Sequence, residues 1–118
     1  VNDALVQEIR LAYQSQKLQP IRRFFFLHDD SGDFACPLLA LAVYRGQVDR
    51  ADPRIELDGG ANPALEWAAQ TFGEAFAIGL LDGFDGQQQA KDDPDPDYLR
   101  GYALGVAAAL QLNPRDPP

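Results

Sequence analysis

Between Phe72 and Gly86 the chain reads Phe-Gly-Glu-Ala-Phe-Ala-Ile-Gly-Leu-Leu-Asp-Gly-Phe-Asp-Gly, an aromatic-lined helical pattern with small residues four apart that stops on glycine. A weaker echo runs from Tyr98 to Gly105, where Gly101 and Gly105 repeat the spacing of Gly79 and Gly83. Helices that carry small residues at this interval can bring their backbones closer than ordinary side chains allow, which constrains the fold more than any other feature of the chain. In membranes the same spacing marks helix dimers. Here Glu74, Asp82 and Arg100 exclude a bilayer setting. The spacing predicts close packing of two helices in water, within one chain or, as the alternative, between chains.

Asn62-Pro63 marks the start of the first of these helices, a capping side chain followed by a proline at the first helical position. The helix is expected to run to about Asp82, with Leu65, Ala69, Phe72, Phe76 and Leu80 as its core stripe and Gly83 as its left-handed terminator. Gly73 and Gly79 lie inside it, and each disfavours a helix by about 1 kcal/mol relative to alanine, so the space they leave must be used. The last helix is expected over residues 97–112, with Asp97 near its positive end. Leu99, Ala103, Val106 and Leu110 form one face, Tyr98, Tyr102, Gly105 and Ala109 a second, and Leu104, Ala107 and Ala108 much of the third. A helix apolar nearly all round is either central to the fold or shared with another subunit.

Upstream, Asn2 can cap a helix over residues 2–17 in which Leu5, Ile9, Ala12 and Tyr13 share one face, and Pro20 prevents its continuation. Phe24-Phe25-Phe26-Leu27 favours a strand buried on both faces. Asp29-Asp30-Ser31-Gly32 is a turn and Asp33–Cys36 returns, so residues 22–36 read as a short β-hairpin. Pro37 suits the first position of a helix through Arg45 with Gly46 as its cap, a continued strand through Leu41–Tyr44 being the alternative. Residues 47–62 read as an irregular connection in which Arg54–Leu57 form a turn of helix or a short strand. Gln87–Pro96 is a polar loop, and Pro114 with the Pro117-Pro118 tail ends the fold. The whole is expected to be one α+β domain over residues 1–118, mostly α-helical. Its parts are an N-terminal helix in 1–20, a hairpin in 21–36 packed on two long C-terminal helices, a helical part in 37–112 and a tail in 113–118.

Charge and cysteine content narrow the function classes. Ten basic against eighteen acidic residues, net −8, supply little surplus for neutralising phosphates, which argues against nucleic acid. The first 28 residues are slightly basic, whereas Asp82, Asp85, Asp92, Asp93, Asp95 and Asp97 face Lys91 alone. A solvated acidic loop accounts for this run; a dock for a basic protein or a loose cation site is the sharper reading. A single cysteine excludes an internal disulfide and a cysteine-rich metal framework, and fits a reducing cytoplasm. No apolar run reaches the roughly 18 residues of a membrane span, and no basic-then-apolar leader pattern opens the chain. The expectation is a cytoplasmic protein that engages no membrane.

Cys36 before Pro37 is the leading candidate for reactivity, because a thiol at a helix N-terminus feels the positive end of the dipole. His28, the one histidine, lies across the hairpin. A three-residue loop puts the two on one face but two pairs apart; a two- or four-residue loop puts them on opposite faces. Against this stands the plain reading of Cys36 as a small buried apolar residue. Asp29-Ser31-Asp33 and Asp93-Asp95-Asp97 begin a calcium-loop spacing, yet Phe34 and Tyr98 stand where that loop needs glycine, and Ala40 and Leu104 where it needs glutamate. His28 with Asp29, Asp30 and Asp33 falls short of a specified transition-metal set. No phosphate-binding glycine motif is present, and Ser15 and Ser31 lack a second histidine as base. No cofactor or metal is indicated.

Cys36-Pro37-Leu38-Leu39-Ala40-Leu41, then Trp67 with Phe72 and Phe76, then Gly83-Phe84-Asp85-Gly86 and Tyr98–Gly105 together resemble a set of small uncharacterised bacterial proteins. These share a Cys-Pro-Leu-x-Ala segment and an FDG-type helix end. The resemblance spans residues 36–108 and implies no activity and no site residues. The functional expectation is therefore a non-enzymatic protein-interaction or homo-oligomerising module, a homodimer through the 63–82 or 97–112 helices. Trp67, Ile78, Tyr98, Tyr102 and Leu104 are its candidate surface. A thiol-dependent or ligand-binding protein built on Cys36 and His28 is the first alternative, and an acidic inhibitor of a basic protein acting through residues 82–97 the second.

Overall fold

The protein is seen in a computed structural model that describes residues 3–53, 55, 61–89 and 95–116. The expected Arg54–Leu57 turn, Gly59-Gly60, and Asp92 and Asp93 of the acidic run lie outside the described residues. The described elements, in chain order, are α1 (Asp3–Gln16), β1 (Gln19–Pro20), β2 (Phe26–Asp29), β3 (Gly32–Ala35), α2 (Pro37–Tyr44), α3 (Ala61–Phe72), α4 (Glu74–Phe84) and α5 (Pro96–Leu112). The fold is α+β and mostly helical, with its small sheet early in the chain.

The first helix follows its apolar stripe: Leu5, Ile9, Ala12 and Tyr13 are buried, joined by Val6. It packs on α2, and the Tyr13 hydroxyl donates to the Ala35 carbonyl at 2.8 Å, tying the helix to the sheet. The hairpin turns on two residues, Asp30 and Ser31, so that Phe26 pairs with Ala35, Leu27 with Phe34, His28 with Asp33 and Asp29 with Gly32. Asp29 accepts the Ser31 N–H at 2.7 Å and Gly32 takes a φ of +124°, a backbone state open mainly to glycine. The sheet has a third strand: Gln19 and Pro20 run parallel to β3 in the order β1-β3-β2. Two residues are too few for any periodic signal to reveal. The expectation that Phe24–Leu27 is buried on both faces is corrected, because β2 is an edge strand; Phe24 is 40% exposed and Phe25, Phe26 and Leu27 are half-buried.

The fully interior helix is α2 rather than α5. Every residue from Pro37 to Val43 is buried, which is the environment an all-round apolar helix requires. Its start and stop are as the residues dictate: Pro37 opens it after Cys36, and Gly46 leaves it at a φ of +73°.

The expected 63–82 helix is two helices. The break falls at Gly73, whose φ of +92° and ψ of 145° lie outside helical space; a Cβ there would meet nothing within 4 Å. Gly73 is therefore present for its backbone freedom, not for close packing. The core stripe shifts with the break. Ala64 and Ala68 of α3 and Ala77, Leu80 and Phe84 of α4 are buried, while Leu65, Ala69, Phe72 and Phe76 are half-buried. Gly83 is likewise corrected. It lies inside α4 and is buried, and the positive-φ position falls at Gly86, at +74°.

Close packing of the two C-terminal helices does occur, within the chain. A Cβ at Gly79 would overlap the Tyr98 carbonyl oxygen, one at Gly83 the Tyr102 carbonyl, one at Gly101 the Phe76 carbonyl and one at Gly105 the Leu80 carbonyl. Partner numbers rise together along both helices, so α4 and α5 run parallel. Asp95 caps α5 by accepting the Asp97 N–H at 2.8 Å, and Pro96 takes its first turn. Nor does the fold end at Pro114. Asn113 closes α5 in a left-handed conformation and Pro114 is buried. Arg115 then bridges to Ile21, donating to the Pro20 carbonyl at 3.1 Å and accepting from the Arg22 N–H at 3.0 Å.

Candidate functional site

The two-residue hairpin loop separates the candidate pair Cys36 and His28. With His28 opposite Asp33, and the Cys36 N–H donating to the Phe25 carbonyl at 2.9 Å, strand alternation sends their side chains to opposite faces. Cys36 is buried and caps α2, its Sγ accepting the Leu39 N–H at 3.4 Å. Burial pushes the thiol up to about 12, beyond what the hydrogen bonds from Leu39 and Leu38 offset. At neutral pH it is a protonated, enclosed side chain with none of the thiolate character a nucleophile needs. His28 faces outward at 73% side-chain exposure, with Nδ1 2.5 Å from Asp33 Oδ1. Cys36 and His28 thus form no nucleophile–base pair.

The acids of the hairpin are used by basic side chains. Asp33 meets both His28 and Arg50, and the Arg50 guanidinium lies 4.8 Å from the Phe26 ring centre on the same face. On the other face Arg115 bonds Asp29 at 2.9 Å and covers Phe34 at 4.8 Å. The Arg115 and Ser31 bonds hold the Asp29 carboxyl below its ordinary range. This pattern explains the Asp29-Ser31-Asp33 spacing as a turn with two ion pairs. Among the described residues no three His, Cys, Asp or Glu side chains gather into a metal-sized group. The described acids of the 82–97 run are also engaged: Asp82 accepts from the Tyr98 hydroxyl at 2.7 Å, Asp85 from the Arg23 N–H at 2.9 Å, and Asp97 pairs with Arg100.

The expected interaction surface is taken apart by the structure. Tyr98 and Leu104 are corrections: both are buried, at 7% and 4% exposure, on the side of α5 that meets the rest of the chain. Trp67 is half-buried; its ring meets Phe72 edge-on at 5.5 Å, and Arg45 lies 5.6 Å from its centre while bonding Glu8 at 2.6 and 2.7 Å. Tyr102 is half-buried, its hydroxyl donating to the Gln87 carbonyl at 2.6 Å. Ile78 alone of the five is exposed, at 42%. The face of α5 that does reach solvent is its Leu99 stripe: Leu99 is 38% exposed, Leu110 81%, Ala103 is exposed and Val106 half-buried. Only the contact side of α5 distinguishes that face from its neighbours, and an all-apolar helix carries no signal for which side that is.

Three open clefts stand out among the described residues. One of about 440 Å³ lies between Gln19, Ser31, Phe34 and Arg115, and one of about 320 Å³ between Glu8, Arg45, Phe72, Phe76 and Arg100. The third, of about 270 Å³, lies between Arg22 and the last turns of α4 and α5, where Gly83, Gly86, Tyr102, Val106 and Leu110 line it. Beside it the Arg22-Arg23 segment is held tightly. Arg23 adopts a φ of +69°, unusual for a side-chain-bearing residue, and its N–H is fixed by Asp85. Burial pushes the Asp85 carboxyl up against the lowering effect of that bond. No helix among the described residues is long and apolar enough to cross a membrane. No protein-family model, curated protein or solved structure matches the chain.

Proposed function

We propose that this chain is a non-enzymatic interaction module that pairs with a second copy of itself through the outer faces of α4 and α5. The observation that carries the reading is the exposure of Ile78, Leu99 and Leu110 on two adjacent parallel helices whose glycines are already consumed internally. Exposed apolar side chains in a stripe, as Leu99, Ala103, Val106 and Leu110 form on α5, are what association sites are built from. Because the Gly79/Gly83 and Gly101/Gly105 seam is occupied within the chain, a second copy docks on the opposite side of α5, along Leu99, Ala103, Val106 and Leu110. The enclosed, protonated state of Cys36 favours this reading over the thiol-dependent one. Light scattering across a dilution series tests it. A mass that falls from dimer to monomer on dilution is expected, and a monomer at every micromolar concentration would sink it.

A further inference from the structure

Four of the arginines of this acidic chain have close carboxylate partners: Arg45 with Glu8, Arg50 with Asp33, Arg100 with Asp97 and Arg115 with Asp29. Arg22 differs. Its Nε is buried with no hydrogen-bond partner, and Nη1 reaches only Asp116 at a long 3.5 Å. Asp116 is itself 82% exposed, so water competes for it freely. A guanidinium offers five donors in a planar fork suited to a carboxylate. Leaving a buried charged donor unmet is destabilising unless something meets it.

Nε is closed off from solvent, and it is the Nη1 end of the same guanidinium that reaches a cleft, 3.9 Å from where a Cβ on Gly86 would stand. Arg22 lines the third cleft, where Gly83 and Gly86 present no side chains and Val106 and Leu110 form an apolar wall. At about 270 Å³ the space is just below the range that holds drug-sized ligands. The arginine is held in place, since its N–H bonds the Arg115 carbonyl at 3.0 Å and the next residue is fixed by Asp85. We infer that this cleft binds a small organic monocarboxylate, its carboxylate on the Arg22 guanidinium and its hydrocarbon body against Val106 and Leu110. Asp85 and Asp116 flank the arginine, so a second negative charge on the ligand is repelled, and polyanions such as nucleotides are excluded. Asp116 occupies the position of an intramolecular competitor that the ligand displaces.

The inferred site shares Val106 and Leu110 with the face proposed for self-association, so ligand binding and association are read separately. The inference is tested by titrating hexanoate into the 15N-labelled chain and following backbone amides by NMR, with light scattering on the same samples to keep any change of mass separate. Saturable shifts at Arg22, Gly83, Gly86 and Val106 are expected, with none from hexanol, which has the same body and no charge. Arg22→Gln should weaken binding by about tenfold or more, the loss of one charge-assisted bond. Asp116→Asn, at an exposed position that leaves folding intact, should tighten it. The absence of saturable shifts up to about 50 mM hexanoate, well past the millimolar affinity of a single charged contact, overturns the proposal. So does equal binding of hexanol, affinity unchanged in a folded Arg22→Gln, or no tightening in Asp116→Asn.

Discussion

At the scale of single residues, glycines that look alike in the sequence do different work. Gly79, Gly83, Gly101 and Gly105 are excluded from becoming alanine by backbone carbonyls of the facing helix, which cannot swing aside as a side-chain tip can. Gly101→Ala gains about 1 kcal/mol of helix propensity, but the overlap with the Phe76 carbonyl forces the helices apart, an overpacking cost of about 1–3 kcal/mol or more. The net is a loss, read as a lower denaturation midpoint. Gly73→Ala meets no atom, yet a backbone with φ at +92° is strained for any side chain by about 1–3 kcal/mol. Cys36 gives a second prediction with a definite sign. Its folded value of about 12 stands above the ordinary 9.0, so the folded state holds its proton more tightly. The associated stability is intact below pH 9 and is lost as pH rises from about 9 toward 12. Cys36→Ser, whose hydroxyl does not titrate there, should flatten that part of a stability–pH profile. Iodoacetamide labelling of native Cys36 at neutral pH should be slow and should become fast on unfolding. Asp85 has the same sign at a lower pH: its raised carboxyl makes the folded state less stable as pH rises through its folded value. Asp85→Asn, which removes the buried charge and keeps an acceptor for the Arg23 N–H, should be better tolerated than Asp85→Ala at neutral pH.

At the scale of elements, type was legible and environment was not. The α1 stripe, the Pro37 start and the Gly46 stop come from local chemistry: apolar residues on one face, a proline where no donor is needed, glycine where φ turns positive. The Asp95-Pro96 cap instead falls in the expected 87–96 loop, and Asn62, the expected cap of α3, lies inside that helix, which starts at Ala61. Which apolar helix lies at the centre is set by what surrounds it. Residues 38–43 and 99–110 are both apolar nearly all round, yet Leu38, Leu39 and Leu41 are essentially unexposed while Leu110 stands in solvent. Leu39→Ala should therefore cost about 2–5 kcal/mol by leaving a cavity, whereas Leu110→Ala should change stability by less than about 0.5 kcal/mol. Chemical denaturation of the two variants makes the comparison directly. The same limit dispersed the candidate site. Tyr98 and Leu104 carry the side chains of an interface but face inward, Trp67 is half-buried against Phe72 and Arg45, and the cleft at Arg22 joins residues from three segments distant in sequence.

At the scale of the whole molecule, the parallel pairing of α4 and α5 governs which surface remains for a partner. The seam between them consumes the close-packing glycines, and their outer faces are left with Ile78, Leu99 and Leu110 exposed. Leu110→Asp or Ile78→Asp should leave the folded chain intact, as both positions face water, and should weaken self-association by about tenfold or more if either is a central contact. Sedimentation or light scattering over a concentration series reads the change. Gly101→Ala is the informative contrast, since it should lower stability first and affect association only as a consequence. The far end of the chain also belongs to the fold: the Arg115 backbone bridges to Ile21 and its side chain covers Phe34 and bonds Asp29, so Arg115→Ala, which keeps the backbone bridge, should loosen the hairpin through the lost side-chain contacts.

The sequence by itself determined the mostly helical α+β class, the hairpin, the start and stop of the helix that follows Cys36, and the demand for a close helix contact at Gly79/Gly83 and Gly101/Gly105. Those follow from interactions a few residues long, or from steric rules that hold wherever the residue sits. Only the tertiary structure decided that the contact lies within the chain and between parallel helices, that the break falls at Gly73, that Cys36 and His28 face apart, and that Arg22 is left without a close partner. Each of these depends on which groups from distant parts of the chain arrive together, and on how many hairpin-loop residues set the strand register. Neither composition nor periodicity carries that information.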